Sequence, residues 1–132
     1  MDGAKQTEVV SGASWRTKEQ SLRVVGSLLS VSARRQLVRG CGRYVERARA
    51  AVVRHADPDD CAAAMSELAI AAHVLTEAAG IIHLRNAENV FGALRSAVAS
   101  HVEAGSAPGD AEIGQMRSAL DCGWSVMAAS CP

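Results

Sequence analysis

The stretch SARRQLVRGCGRYVERARAAVVRH, residues 32–55, decides the fold class. Its apolar residues recur at steps of three or four, which places them on one face of an α-helix and excludes the alternation of a strand. The same spacing starts upstream of the stretch, and the full series is Leu22, Val25, Leu29, Ala33, Leu37, Cys41, Tyr44, Ala48 and Val52. The pattern predicts a long first helix over residues 17–56.

Ser30 or Ser32 is a second possible N-cap inside this predicted helix. Two glycines, Gly40 and Gly42, also lie inside it. Each costs about 1 kcal/mol relative to alanine in a helix interior. They therefore indicate either an interruption or a close approach by a neighbouring element that needs the missing side chains. Because the apolar series is unbroken, we favour one helix with at most a kink.

Turn and capping residues divide the rest of the chain into three further helices. Asp57 is a predicted N-cap with Pro58 at the first helical position, Asn86 is a second predicted cap, and Gly109 or Asp110 starts the last helix. The predicted core positions are Met65, Leu68, Ala72, Leu75 and Ala79, then Val90, Leu94, Ala97 and Val98, then Ile113, Met116, Leu120, Trp124 and Met127. The sequence predicts an all-α helical bundle of about four helices.

The composition supports this architecture. Of 132 residues, 48% are hydrophobic but only 3% are aromatic, so alanine and small aliphatic residues must fill the core, which suits closely packed helices. Residues 1–16 are small and polar and are predicted to form a flexible N-terminal tail. Residues 17–132 are then a single bundle domain.

Charge is distributed unevenly, although the formal net charge is zero. Residues 16–54 contain ten basic groups and two acids, whereas residues 57–121 contain ten acids and three arginines. Within the basic half, Arg35, Arg39, Arg43 and Arg47 recur every fourth residue and form a stripe on the predicted helix. The stripe is a solvated helix face, a surface that pairs with the acidic half within one chain or across a dimer, or a binding surface for an anionic partner. The last two are possible because guanidinium groups match carboxylates and phosphates.

The apolar runs, the N-terminus and the cysteine spacing bear on localisation and on metal binding. No apolar run reaches the roughly 18 residues of a membrane span, and the N-terminus lacks a signal-peptide core, so we expect a cytoplasmic protein without membrane association. The cysteines Cys41, Cys61, Cys122 and Cys131 form no C-x-x-C pair. We therefore expect reduced thiols, no metal and no cofactor.

Three polar residues are the candidates for a polar pocket. His73 and Glu77 are four residues apart and share a helix face, and His83 follows shortly after them. Helical bundles build metal sites from inward Glu-x-x-His pairs, but this chain has no such pair. The sequence therefore favours polar boundary positions over a metal site.

The segment MSELAIAAHVLTEAAG, residues 65–80, resembles the C-terminal helical region of tRNA-modification GTPases of the MnmE (TrmE) kind. The matching positions are Glu67, Leu68, Leu75, Thr76, Glu77 and Gly80, and the resemblance covers about residues 32–96. The family's G domain, its phosphate-binding loop and its terminal Cys-Ile-Gly-Lys have no counterpart here. The resemblance implies a helical dimerisation scaffold, and no catalytic residue carries over.

These observations favour a scaffold or interaction protein that acts by self-association, as a homodimer, or by binding a partner protein. Two alternatives stay open at this point. One is a helical bundle that binds a small molecule or catalyses a reaction, and the other is a nucleic-acid accessory protein that uses the arginine stripe. A nucleic-acid domain is usually basic overall, which makes the last alternative the weaker one.

Overall fold

Four α-helices form the described part of the chain, which in this computed structural model comprises residues 30–131. They are α1 (Val31–Arg54), α2 (Cys61–Ile81), α3 (Arg85–Ala104) and α4 (Asp110–Ala129), and no strand occurs within these residues. The prediction of an all-α four-helix bundle with a long first helix is confirmed. The predicted tail over residues 1–16 and the predicted start at Thr17 lie outside the described residues.

Helix α1 begins later than the apolar spacing predicts. Ser30 is extended, with φ −63° and ψ 160°, and its hydroxyl accepts a hydrogen bond from the Ala33 backbone N–H at 3.1 Å. This side-chain cap makes Ser30 a helix start, so one continuous helix over residues 17–56 is wrong. From Val31 onward the helix is uninterrupted through Gly40 and Gly42.

Two of the predicted N-caps also differ from the N-caps in the structure. The Asp57 carboxylate accepts from the Asp59 backbone N–H at 3.0 Å, which forms a turn, and α2 starts only after Asp60. Leu84, not Asn86, is the N-cap of α3. The start of α4 agrees with the prediction, since Gly109 is its N-cap and donates its N–H to the Glu112 carboxylate at 3.3 Å.

Successive helices are antiparallel. Residues near the end of each helix contact residues near the start of the next one, as the pairs Arg54–Glu67, Gly80–Glu88 and His101–Glu112 show. Helix α4 returns beside α1, where Arg49 binds Asp121. The α1–α2 turn and the α3–α4 loop therefore lie at the same end of an up-down-up-down bundle.

Phe91 is the largest fully buried side chain of the core. Gly123 of α4 packs directly on it: a Cβ added to this glycine would lie 2.6 Å from two atoms of the Phe91 ring. Gly42 of α1 likewise faces Trp124, with its added Cβ 3.3 Å from the indole ring, whereas nothing lies within 4 Å at Gly40. The expectation of a close approach is thus correct for Gly42 and wrong for Gly40.

Most predicted core positions are buried, including all five on α2. On α1, however, Val38 and Val45 are buried while the predicted Leu37 and Tyr44 are only half-buried. On α3, the predicted Ala97 is exposed. The core faces of these two helices are rotated slightly from the predicted ones.

Helix α2 is the most apolar of the four. By length and composition alone it could cross a membrane, and 44% of its apolar window is buried inside the bundle. A helix that packs into a bundle core passes the same test of length and composition, and α2 packs against both α1 and α3. Nine of its residues are buried here.

Candidate interaction surface on helix α1

Arg35, Arg39, Arg43 and Arg47, hereafter the arginine row, are all exposed on the solvent side of α1. Each four-residue step rises about 6 Å and turns about 40° around the helix axis. The row is therefore about 18 Å long and crosses the outer face of α1 at a slant.

The two ends of the row lie beside different neighbouring helices. Arg35, Gly42 and Arg49 are spaced by seven residues and share one line along α1, and the latter two touch α4. Arg47 and Arg54 share a second line, and Arg54 binds Glu67 of α2. The row thus runs from the α4 side of α1 to its α2 side and spans the whole outer face between them.

The arginines at the edges of α1 are paired with acids. Arg49 binds Asp121 at 3.1 Å and Glu46 at 2.7 Å, and these hydrogen bonds, the one to Asp121 first, raise the pKa of its guanidinium. Arg54 donates to both Asp60 oxygens, at 2.6 and 3.0 Å. The Arg54 guanidinium in turn lowers the pKa of the Asp60 carboxyl.

The arginine row itself is different, because none of its members forms an ion pair with any residue between 30 and 131. Arg47 lies over the Tyr44 ring, 5.5 Å from its centroid. The acids of the second half that form ion pairs with α1 therefore bind Arg49 or Arg54 and not the row. The hypothesis that the row pairs with the acidic half within one chain does not hold in this structure.

This arrangement does not favour helix stability. Like charges four residues apart repel one another by a few tenths of a kcal/mol per pair. Arg35 also lies near the N-terminus of α1, where the helix dipole disfavours a positive charge and where the first turn contains no acid. The row therefore costs the isolated protein a small amount of free energy.

Acidic residues collect at one end of the bundle. The α1–α2 turn carries Asp57, Asp59 and Asp60, and the α3–α4 loop, with the helix ends on either side of it, carries Glu103, Asp110 and Glu112. Both connections lie at the same end, whereas the row begins near the opposite end. These acids are thus separated from the start of the row, whereas Glu77 and Glu88 lie near the opposite end, at the α2–α3 turn.

A small cleft opens between α1 and α4, near the C-terminus of α1 and on the side of this helix away from Arg47. Its volume is about 180 Å³, and its floor is formed by Val52 and Leu120, which are 1% and 0% exposed. The remaining lining residues are Arg49, Val53, Arg117 and Asp121. The cleft therefore has an apolar floor and a charged rim.

The three residues of the predicted polar pocket do not come together. His73 and Glu77 share the exposed face of α2, as expected, and Arg95 of α3 lies 3.4 Å from His73 Nδ1 and 3.6 Å from the Glu77 carboxylate. His83 lies in the turn after α2, with φ +59°, about 15 Å further along the helix axis than His73. Within residues 30–131, no group of three or more His, Cys, Asp or Glu side chains could hold a metal ion.

Sequence reasoning missed a polar network at the α3–α4 loop. His101 Nε2 lies 2.5 Å from the Glu112 carboxylate, and His101 Nδ1 lies 3.0 Å from the Ser106 hydroxyl. The hydrogen bond from His101, and then that from the Gly109 N–H, lower the pKa of Glu112. The network joins the end of α3 to the start of α4, and the Glu three residues after Gly109 was its signal in the sequence.

Cys41 is buried on the inner face of α1, and burial raises the pKa of its thiol. A thiol in this environment is a poor nucleophile. Cys41 is therefore a core residue, in line with its place in the apolar series.

The chain matches no protein-family model, no curated protein and no solved structure. The resemblance of residues 32–96 to the helical region of tRNA-modification GTPases therefore stays a prediction from the sequence. The surface of α1 must be interpreted from its own chemistry.

Proposed function

We propose that this protein is a small interaction module that binds an acidic helical segment of a partner protein through the arginine row. The observation that supports this proposal is the row's exposure without a carboxylate partner among the described residues. An anionic partner would relieve the repulsion between the four guanidinium groups and would form charge-assisted hydrogen bonds with them.

The spacing of the row favours a helical partner. Its guanidinium groups repeat every 6 Å or so along α1, which is also the rise between carboxylates at i and i+4 on a second helix. Arginine and carboxylate can form two parallel hydrogen bonds, so each matched pair also fixes the register. An acidic helix with glutamates at this spacing is complementary to the whole row.

A nucleic acid is less well matched to this surface. Asp57 and Asp59 are exposed just beyond the C-terminus of α1, where they would repel a polyphosphate that continued along the helix. The one aromatic residue of α1, Tyr44, is half-buried with Arg47 over its ring, so α1 presents no series of aromatic residues on which bases could stack. The formal net charge of zero also provides no general attraction for phosphates.

The proposal is tested with a fluorescein-labelled helical peptide that carries four glutamates at four-residue spacing. We expect its fluorescence anisotropy to rise on titration with the protein, and the affinity to fall as salt is raised because screening weakens exposed pairs. The double variant Arg39→Gln/Arg43→Gln should bind at least tenfold more weakly. A matched control, Arg85→Gln/Arg117→Gln, removes the same charge from exposed positions outside the row.

Three results would contradict the proposal. The first is no binding by the wild type at low salt, and the second is an equal loss of affinity in both double variants. The third is tighter binding of a labelled oligonucleotide than of the peptide, since this would favour the nucleic-acid alternative.

Self-association is a second candidate function, and the apolar outer surface of α2 favours it. Ile70 is 61% exposed, and Ala62 and Ala63 are exposed on the same helix. Burial of such residues between two copies contributes about 25 cal/mol per Å² of apolar surface. Sedimentation velocity should then give twice the 13.8 kDa of the chain, and Ile70→Glu should return it to the monomer mass.

A further inference from the structure

The arginine row approaches α2 at its end. Each step of four residues turns it about 40° around α1, from Arg35 on the α4 side to Arg47 on the α2 side. The Arg47 guanidinium lies over the ring of Tyr44, which is half-buried and packs against the core. A straight helix that is seated on the row therefore crosses α1 obliquely and passes onto α2 beyond Arg47.

Ile70 of α2 lies level with Arg47. Arg54 binds both Asp60 and Glu67 at 2.6 Å, so its guanidinium lies between these two residues along the axis of α2. Because α1 and α2 are antiparallel, the seven residues back from Arg54 to Arg47 match seven residues forward along α2, about 10 Å in each helix. That step leads from the middle of the segment between Asp60 and Glu67 to the level of Ile70.

The surface of α2 at this level is apolar. Ile70 is 61% exposed, and Ala63 is exposed seven residues earlier on the same line of the helix. Val74, seven residues after Glu67, is half-buried on the side toward α1. The basic surface of α1 thus adjoins an apolar surface of α2, and the small side chain of Ala63 allows a second helix to approach it closely.

We infer that the partner helix continues, beyond the carboxylate bound by Arg47, with bulky aliphatic side chains that pack on Ile70, Ala63 and Val74. This inference rests on the proposed function and specifies the partner as a helix with an acidic segment followed by an aliphatic one. The contact buries the side chain of Ile70, and burial of apolar surface favours binding.

The charges beyond Arg47 favour this change in the partner from acidic to aliphatic residues. Arg54, the next arginine on the α2 side of α1, is already bound by Asp60 and Glu67. Asp57 and Asp59 are exposed in the turn that follows. A further carboxylate on the partner would find no free arginine at this place and would be repelled by these acids, whereas an aliphatic side chain would not.

Two peptides test the inference. Both carry four glutamates at four-residue spacing and extend by seven residues beyond each terminal glutamate, since the partner can lie on the row in either direction. One peptide has leucine at the fourth and seventh positions of each extension, and the other has alanine there. Because leucine buries more apolar surface than alanine, we expect about a tenfold lower Kd for the leucine peptide.

Variants of the protein then locate the effect. Ile70→Ser should remove most of the difference between the two peptides and leave the affinity for the alanine peptide unchanged. The matched control is Val53→Ser, which alters a similarly exposed aliphatic residue, 69% exposed, on the α4 side of α1. It should preserve the difference. Both changes are at exposed helical positions, and circular dichroism checks that each variant is folded.

Failure of the inference and failure of the proposed function give different results. If both peptides bind with equal affinity and both lose it in Arg39→Gln/Arg43→Gln, the proposed function stands and the aliphatic contact on α2 is excluded. A leucine preference that survives Ile70→Ser, or that Val53→Ser abolishes equally, also excludes this contact. If neither peptide binds at low salt, both the function and the inference are wrong.

A second copy of the chain is the other possible occupant of this surface, and sedimentation velocity without peptide detects it. We expect the monomer mass for both the wild type and Ile70→Ser. A wild-type dimer that Ile70→Ser converts to a monomer would show that a second copy covers Ile70, and the inference would be wrong.

Discussion

Replacement of Gly123 by alanine tests the packing of the core most sharply. The added methyl group would lie 2.6 Å from Cε1 and Cζ of Phe91, whose side chain is fully buried. Overpacking of this kind costs about 1–3 kcal/mol, and two such short contacts place it near the upper value. Alanine recovers about 1 kcal/mol of helix propensity. We therefore expect Gly123→Ala to lower the free energy of unfolding by about 2 kcal/mol net.

The matched control is Gly40→Ala, because nothing lies within 4 Å of the position of its added Cβ. Only the helix propensity changes there, so this variant should be more stable than the wild type by about 1 kcal/mol. Urea unfolding followed by circular dichroism would measure both values, with equal slopes against denaturant expected for all three proteins. If Gly123→Ala were stabilised as much as Gly40→Ala, the close packing of α3 on α4 would be refuted.

Three further substitutions have distinct expected outcomes. Gly42→Leu should destabilise the protein by more than its helix propensity gain of about 1 kcal/mol, as measured by urea unfolding, since it meets the Trp124 ring. Because Arg54 lowers the pKa of Asp60 below its ordinary 3.8, their pair stabilises the fold above that pH and loses its effect as the pH falls through the lowered pKa. The melting temperature of Arg54→Met should therefore lie below that of the wild type at about pH 6 and converge with it at about pH 2. Arg39→Gln/Arg43→Gln should leave stability unchanged or raise it by a few tenths of a kcal/mol in a low-salt melt, because it relieves repulsion; a clear loss would indicate that these arginines are paired.

The core face of α2 could be predicted from sequence, whereas that of α1 could only be predicted approximately. On α2, Met65, Leu68 and Leu75 share one face and all three are buried, while Ile70, which is equally apolar, lies off that face and is exposed. On α1, two overlapping series fit a helical period, one through Leu37 and one through Val38. Contacts with α2 and α4 decide between them, and such contacts are not encoded in the local spacing.

The start of α2 shows the same dependence on distant residues. Asp57, Asp59 and Asp60 are all adequate caps by residue type. Arg54 binds the carboxylate of Asp60 and so orients this residue, while Asp57 closes a turn with the Asp59 N–H. Local sequence therefore predicted the presence of a helix start but not its position.

The arginine row was visible in the sequence, but its lack of ion pairs with residues 30–131 was not. The arginines of α1 that form ion pairs with other helices lie at its edges, where Arg49 binds Asp121 and Arg54 binds Glu67. These contacts require the packing of α4 and α2 on either side. The charge asymmetry of the chain suggested pairing of its two halves, and the structure assigns that pairing to other arginines than those of the row.

The most direct test of the proposed function is an NMR titration of the ¹⁵N-labelled protein with the unlabelled peptide of four spaced glutamates. We predict that the amide shifts that change most belong to the outer face of α1, from Arg35 to Arg47, with smaller changes on the adjoining edges of α2 and α4. The side-chain Nε–Hε signals of the same arginines should move with them. Changes centred instead on the outer surface of α3, or no change at millimolar peptide and low salt, would contradict the assignment of the arginine row as the binding surface.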